Sequence, residues 1–326
     1  MRNTNLQLLL GVCLLLAGCS STKQVDMEQF PNIVIENEQV QMTLYPPDPD
    51  EGLYRATRFD WSGVIGSVRY KGHEYFGYWK DTHDPTFHED LAGPVEGFIE
   101  PGLGYEEAEA GDPFIRIGVG ILKKGNEKSY DWMGTYPILD HGKWTVEQGE
   151  DWISFRHEIN SDFGYGYVYT KTVRLKEDGF LIEHALQNTG EKPIETDQFN
   201  HNFFMIDGEQ SGPAFQVSFP YKISTDSDLK GLVAIEDKSI NFLKKVEEGE
   251  NVFVELRGYG DAVEDHEVTV VNQKTGAGVT FTVDKPVYRM AFWTCKTTLC
   301  PENFIWLSVK PGEEERWVSE YTLFVE

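Results

Sequence analysis

Hydrophobic and polar residues alternate along most of the chain, and the clearest case is residues 165–175, which read Tyr-Gly-Tyr-Val-Tyr-Thr-Lys-Thr-Val-Arg-Leu. The three tyrosines share one face of this segment, while valine, threonine and arginine side chains occupy the other. A period of two residues predicts a β-strand. Asp178 and Gly179 follow as a tight-turn signal, and residues 180–188 return as a second predicted strand. Spacing typical of amphipathic helices is nearly absent from the chain.

Turn signals that contain glycine recur at residues 177–179, 247–249, 274–276 and 310–312. Many strands separated by such turns are typical of all-β proteins. We therefore predict an all-β fold, a large antiparallel β-sandwich. Because no linker or internal repeat interrupts residues 31–326, we predict that they form a single domain. Residues 80–112 are rich in proline, glycine and acidic side chains, and this composition favours a long loop or several short turns.

The N-terminus has the pattern of a secretory signal. Arg2 precedes an apolar run at residues 6–16, interrupted only by Gln7, which is too short to span a bilayer as a helix. The following Leu-Ala-Gly-Cys, ending at Cys19, resembles the processing box of bacterial lipoproteins. This resemblance implies a signal peptide at residues 1–18, a lipid on Cys19 and a tether at residues 19–30. It also implies a membrane-anchored, extracytoplasmic protein of the bacterial cell envelope.

Charge and cysteine content exclude some functions. The chain has 54 acidic and 29 basic residues, a formal net charge of −25, whereas a nucleic-acid-binding protein needs a basic face. Outside the cytosol, Cys295 and Cys300 are candidates for a disulfide, with free thiols as the alternative. No Cys-x-x-Cys occurs, and the acidic residues between 89 and 112 lack the spacing of a calcium loop. We expect no metal site and no cofactor.

Residues 200–204, Asn-His-Asn-Phe-Phe, are the strongest candidate for chemistry. His201 lies between two amides and beside two aromatic rings, in a segment with the composition of a strand. Imidazole titrates near neutral pH, so His201 is a candidate general acid or base. The alternative is a half-buried strand histidine that is hydrogen-bonded to its neighbours. About a hundred residues later, Cys-Pro-Glu at residues 300–302 provides a carboxylate, Glu302.

These two segments resemble motifs of the galactose mutarotases, or aldose 1-epimerases. Residues 200–204 are similar to that family's Asn-His-x-aromatic-Phe motif. Residues 300–302, followed by a Pro-Gly turn at 311–312 and a last strand, are similar to its ending. The resemblance implies a galactose mutarotase-like supersandwich that binds a mono- or oligosaccharide. It assigns Glu302 as the base and His201 as the acid in ring opening and closure, which interconverts sugar anomers.

The resemblance also implies residues that bind the substrate. Arg58, in preference to Arg55, matches an arginine that reaches the sugar hydroxyls, and Asn200 belongs to the histidine motif. Glu96, in Gly-Pro-Val-Glu-Gly-Phe, stands where the family carries a second histidine. His88, a few residues upstream, is a candidate to replace that histidine. Alternatively, Glu96 changes the chemistry or the sugar that is accepted.

Three other functions fit the same fold. A glycoside hydrolase would need two carboxylates about 5–10 Å apart, which Glu302 could form with Glu96 or Glu89. A polysaccharide lyase would pair a histidine or tyrosine base with a group that neutralises a uronate, such as Arg58. A non-catalytic carbohydrate-binding lipoprotein would keep the cleft without the chemistry. Fold alone does not decide among these functions.

Overall fold

The computed structural model describes residues 25–326. The predicted signal peptide at residues 1–18 and the predicted lipidation site Cys19 lie outside the described residues. Between residues 25 and 326, no helix has the length and apolar character needed to cross a bilayer. The last residues of the predicted tether contact the folded part, because Met27 and Phe30 pack against its hydrophobic side chains.

Strands make up the regular structure, together with three short 3₁₀ helices. The strands in chain order are β1 (Ile33–Glu36), β2 (Val40–Tyr45), β3 (Val64–Tyr70), β4 (His73–Glu74), β5 (Val95–Gly97), β6 (Pro113–Arg116), β7 (Gly120–Lys123), β8 (Ile138–Asp140), β9 (Lys143–Gln148), β10 (Trp152–Asn160), β11 (Gly166–Lys176), β12 (Gly179–Asn188), β13 (Ile194–His201), β14 (Phe215–Ser218), β15 (Val233–Glu236), β16 (Ser239–Phe242), β17 (Val252–Leu256), β18 (Val268–Asn272), β19 (Ala277–Val283), β20 (Val287–Thr294), β21 (Leu299–Val309) and β22 (Glu314–Val325). The 3₁₀ helices are Met27–Gln29, Ile206–Gly208 and Val263–His266.

The strands form four antiparallel sheets. The large sheet has ten strands in the order β15-β16-β14-β18-β19-β22-β12-β11-β10-β9. The site sheet, named for what it carries, has five strands in the order β17-β20-β21-β13-β5. Smaller sheets are formed by β1–β4 and by β6–β8. The predicted hairpin is confirmed, because β11 and β12 pair from Tyr167 with Asn188 to Lys176 with Gly179.

Two hydrophobic cores lie on opposite faces of the site sheet. Ile305, Leu307 and Val309 of β21 belong to the main core, in which they share one cluster with side chains of the large sheet. The alternate residue Phe304 joins an outer core beneath the connecting segments. Successive strand residues point to opposite faces, so the same strand fills one core and lines the outer surface.

The irregular region at residues 80–112 is mostly turns, but it also contains β5, which the sequence did not predict as a strand. β5 adds to the edge of the site sheet by pairing with β13, Glu96 opposite Asn200. This pairing brings the middle of the irregular region against the strand that carries His201.

The structure contradicts the predicted disulfide, because Cys295 and Cys300 are both free thiols. The two residues belong to the β20–β21 hairpin, but Cys300 pairs across the strands with Trp293. The Cys300 sulfur accepts a hydrogen bond from the Phe203 amide at 3.2 Å. The Cys295 amide donates to the Thr298 carbonyl at 3.1 Å and closes the turn.

Candidate functional site

Strand register brings His201 and Glu302 together across a hundred residues of sequence. β13 and β21 are antiparallel neighbours in which Phe199 pairs with Phe304. His201 follows Phe199 by two residues and Glu302 precedes Phe304 by two, so both lie on the same face as that pair. His201 Nε2 lies 3.3 Å from Glu302 Oε1. Both side chains are almost fully buried. The two groups are close enough to exchange protons with the same small ligand, because proton transfer requires hydrogen-bond distances.

The pair lies in a cavity of about 420 Å³ on the outer face of the site sheet. Such a volume is typical of small-molecule sites, which are mostly apolar with a few polar groups. The lining residues are Arg58, Glu89, Ile99, Trp132, Met133, Phe199, His201, Phe203, Phe253, Arg289, Trp293, Glu302 and Phe304.

Aromatic rings fix the orientation of the His201 imidazole. Phe203 stacks on it with ring centroids 3.9 Å apart, and its φ of 44° turns the chain back so that the ring reaches this position. Phe59 and Trp293 approach the imidazole edge-on, each at 5.6 Å. Nδ1 is buried and has no hydrogen-bond partner within residues 25–326. The ring therefore presents Nε2 to Glu302 and to any ligand beside it.

Burial sets the protonation of the pair. Removal from water raises the pKa of Glu302 to about 8, although Arg58 and Arg289 oppose this shift. Burial, with a smaller contribution from Arg58, lowers the pKa of His201 well below its ordinary value of 6.5. In both residues the uncharged form is favoured, because the aromatic walls exclude solvent. At neutral pH the pair therefore holds one proton, on Glu302.

Arg58 lines the cavity, as the resemblance implied. Its guanidinium stacks on Trp132 at 3.9 Å, and only 7% of the residue is exposed. Its nearest carboxylate, Glu89, is 3.7 Å away. Arg58 Nε is buried without a hydrogen-bond partner in the part of the chain that the structure describes. A buried guanidinium with a free donor is suited to bind a ligand oxygen.

Three predicted residues lie outside the cavity lining. Asn200 follows the alternation of β13, so its side chain lies on the face opposite His201 and donates to Glu96 Oε1 at 3.2 Å. Glu96 is fully buried and forms an ion pair with Lys171. The structure therefore places Asn200 and Glu96 outside the cavity in which their contact with substrate was predicted. His88 does not line the cavity either, because its ring packs against Phe87 with centroids 4.4 Å apart.

Glu96 and Asn200 belong to a buried polar cluster beneath the site, together with Lys171 and His184. Glu96 accepts hydrogen bonds from Lys171 at 2.5 Å and contacts His184 Nε2 at 3.1 Å. The Lys171 ammonium holds the pKa of Glu96 below its usual value despite burial. Glu96 thus fixes β5 against the large sheet rather than contacting a ligand.

Sequence reasoning missed Arg289, a second arginine of the cavity. Its guanidinium lies 4.8 Å from the centre of the Phe304 ring and forms an ion pair with Glu255 at 2.8 Å. Cross-strand register places Arg289 opposite Phe304. The sequence did contain a signal. Arg289 lies four residues before Trp293 in the same strand, and this even spacing indicates that the two side chains share a face. Glu89, considered only for a hydrolase, also lines the cavity and is held by Lys80 at 2.8 Å.

Residues 25–326 contain no group of three or more His, Cys, Asp or Glu side chains arranged to hold a metal ion. The titratable side chains that line the cavity are those of the pair, the two arginines and Glu89. An acid–base pair in an apolar cavity favours transfer of a proton between two oxygens of one small ligand.

No protein-family model and no curated protein sequence matches the chain. Solved structures do. A galactose mutarotase related enzyme from Lactobacillus acidophilus has a TM-score of 0.55 and 13% identity, over 90% of this chain and 97% of that one. The chain has the galactose mutarotase-like fold. An aldose epimerase homologue from C. elegans has a TM-score of 0.55 and 13% identity, over 90% of this chain and 99% of that one. A galactose mutarotase-like protein from Lactobacillus casei has a TM-score of 0.54 and 12% identity, over 90% of this chain and all of that one.

The predicted antiparallel sandwich of the galactose mutarotase-like type is thus confirmed. At these identities the likeness concerns the fold, because one fold serves many functions. The site must be judged from its own residues.

Proposed function

We propose that the protein is an aldose 1-epimerase-like enzyme that interconverts the anomers of a sugar by acid–base ring opening and closure. The observation that carries the proposal is the His201–Glu302 pair, 3.3 Å apart in an aromatic-walled cavity. The printed names of the structural neighbours, a galactose mutarotase related enzyme and an aldose epimerase homologue, support it.

The reaction needs one proton on the pair and no other reagent. One residue removes the proton of the anomeric hydroxyl while the other protonates the ring oxygen, so the C1–O5 bond breaks and an aldehyde forms. Rotation about C1–C2 exposes the other face of the carbonyl. Closure reverses both proton transfers and restores the pair. Each such residue typically contributes about 10²–10⁴ to the rate.

The resemblance makes Glu302 the base and His201 the acid, whereas the pKa order of the free protein puts the shared proton on Glu302. Both distributions contain the same single proton, and a full cycle uses each residue once as acid and once as base. The direction of the first transfer then depends on how the sugar is placed between them.

The cavity walls account for binding of a carbohydrate. Trp132, Trp293 and Phe304 offer apolar surfaces to the apolar face of a pyranose, and aromatic contacts of this kind are favourable. Arg58 supplies donors for sugar hydroxyls from within the wall. No cofactor is required by this chemistry.

We also propose that the protein is attached to the cell envelope through a lipid on Cys19, as Leu-Ala-Gly-Cys at residues 16–19 supports. Sugar released or taken up outside the cytoplasm would then be its substrate. Fractionation of cells that produce the natural protein or Cys19→Ala tests this. Attachment predicts that only the natural protein sediments with membranes, and equal distribution of both would contradict it.

Exchange NMR with freshly dissolved aldoses tests the activity. Acceleration of anomer exchange for at least one of a panel of hexoses and pentoses is the expected result. New reducing ends from polysaccharides would instead indicate a hydrolase, and unsaturated products a lyase. Binding of sugars by calorimetry without acceleration of any of them would contradict catalysis and leave a carbohydrate-binding protein.

A further inference from the structure

A row of aromatic side chains extends from the cavity along the outer face of the site sheet. On β21, Glu302, Phe304 and Trp306 point to the same side, since they are separated by two residues. Glu302 and Phe304 line the cavity, whereas Trp306 lies beyond it and is 47% exposed. At about 3.4 Å per residue, Trp306 is about 14 Å from Glu302 along the strand.

A β-bulge adds a third ring to this row. The register between β20 and β21 shifts between Val287 and Arg289. Such a bulge re-aims a side chain, and here Arg289 lines the cavity while its neighbour Tyr288 also lies on the outer face. The Tyr288 ring contacts both Phe304 and Trp306 edge-on, with centroids 6.5 Å and 6.1 Å apart.

Carboxylates hold these rings in place. Asp197, the cross-strand partner of Trp306, accepts a hydrogen bond from the Tyr288 hydroxyl at 3.2 Å. Glu195 accepts one from the Trp306 indole N–H at 3.2 Å and one from Ser308 at 2.6 Å. Exposed rings with fixed orientations form a preorganised surface, which lowers the entropic cost of binding.

The row leads into a second groove of about 350 Å³. Trp306 and Tyr165 provide its aromatic surfaces, and Glu100 and Glu195 lie beside them. The groove lies next to the cavity, because Ile99 lines the cavity and the next residue, Glu100, lines the groove. Asp197 fixes this junction by accepting the amides of both residues, at 2.7 Å and 3.0 Å.

We propose that the groove is a sugar subsite, so that the preferred substrate is an oligosaccharide. Its reducing-end sugar lies in the cavity, and the following sugars stack on Tyr288 and Trp306 with their hydroxyls donating to Glu195 and Glu100. Flat apolar rings beside carboxylate acceptors match the two kinds of surface that a pyranose presents. A neutral oligosaccharide fits this groove, since added negative charge would be repelled by the glutamates. The inference rests on the proposed function for the placement of the reducing end.

The experiment compares anomer exchange of glucose with that of maltotriose and cellotriose, and of galactose with β-1,4-galactotriose. We expect kcat/KM to be at least about tenfold higher for one trisaccharide than for its monosaccharide. Trp306→Ala should reduce that ratio roughly tenfold, and Trp306→Phe should largely retain it. Leu243→Ala is a matched control, because Leu243 is an exposed apolar residue that lines neither the cavity nor the groove.

Equal kcat/KM for monosaccharides and trisaccharides, unchanged by Trp306→Ala, would overturn the subsite while leaving the proposed reaction intact. If no sugar shows exchange, calorimetry with the same sugars still decides the inference. A trisaccharide that binds tighter than its monosaccharide in the natural protein but not in Trp306→Ala supports it. Loss of self-association in Trp306→Ala, without any change in sugar binding, would show that the row is a contact between copies of the chain.

Discussion

Replacement of Glu302 by glutamine should remove a large pH-dependent cost of folding. Burial raises the pKa of Glu302 from its ordinary value of 4.5 to about 8 in the folded protein. A carboxyl whose pKa rises on folding makes its full contribution to the free energy of unfolding below pH 4.5. This contribution is lost as pH rises towards 8. At about 1.4 kcal/mol per pH unit, the loss amounts to about 4–5 kcal/mol. Glutamine is similar in shape and carries no charge at any of these pH values.

Urea unfolding of the natural protein and Glu302→Gln from pH 4.5 to pH 9 measures this effect. The two proteins should have similar free energies of unfolding at pH 4.5, and the variant should be more stable by several kcal/mol at pH 8.5. His201 is present in both proteins, so its own titration largely cancels in the difference. Parallel pH profiles for the two proteins would refute the conclusion that Glu302 is protonated at neutral pH through burial.

Three further predictions concern the site and the cluster beneath it. The rate of anomer exchange should fall as pH rises through about 8, when Glu302 loses the shared proton. It should not fall as pH drops through 6.5, because the pKa of His201 lies well below that value; a profile flat from pH 7 to pH 10 would contradict this. Arg58→Gln should raise KM by roughly tenfold or more with a smaller effect on kcat, because a buried donor to the sugar is lost; unchanged kinetics would show that Arg58 does not contact the sugar. Lys171→Met should destabilise the protein by about 3–5 kcal/mol, as measured by urea unfolding, because the buried Glu96 carboxylate loses its cationic partner. Adding Glu96→Gln should recover much of the loss, and no recovery would argue against the ion pair.

The alternation of residues along the chain was enough to predict the fold class. Residues 166–175 and 180–188 lie in β11 and β12, and the Asp-Gly turn joins them as expected. β5 was missed because it has only three residues and lies within a stretch rich in proline and glycine. Its pairing with β13 is a tertiary effect that local composition does not reveal.

The pairing of His201 with Glu302 was predicted from motifs, and strand register explains why two distant motifs meet. Asn200 lies outside the cavity for a reason that the sequence contains. Neighbours on a strand face opposite sides, so the residue next to His201 cannot share its cavity. Arg289 was missed although its spacing of four residues from Trp293 indicates a shared strand face.

The most direct test of the central claim is two-dimensional exchange NMR of the fastest aldose with single and double variants of the pair. The natural protein should accelerate anomer exchange, and Glu302→Gln and His201→Asn should each reduce the rate by about 10²–10⁴. Because the two residues share one proton, the double variant should be little slower than the slower single variant. Leu243→Ala should match the natural protein. Retention of more than about a tenth of the rate in either single variant would contradict catalysis by the His201–Glu302 pair.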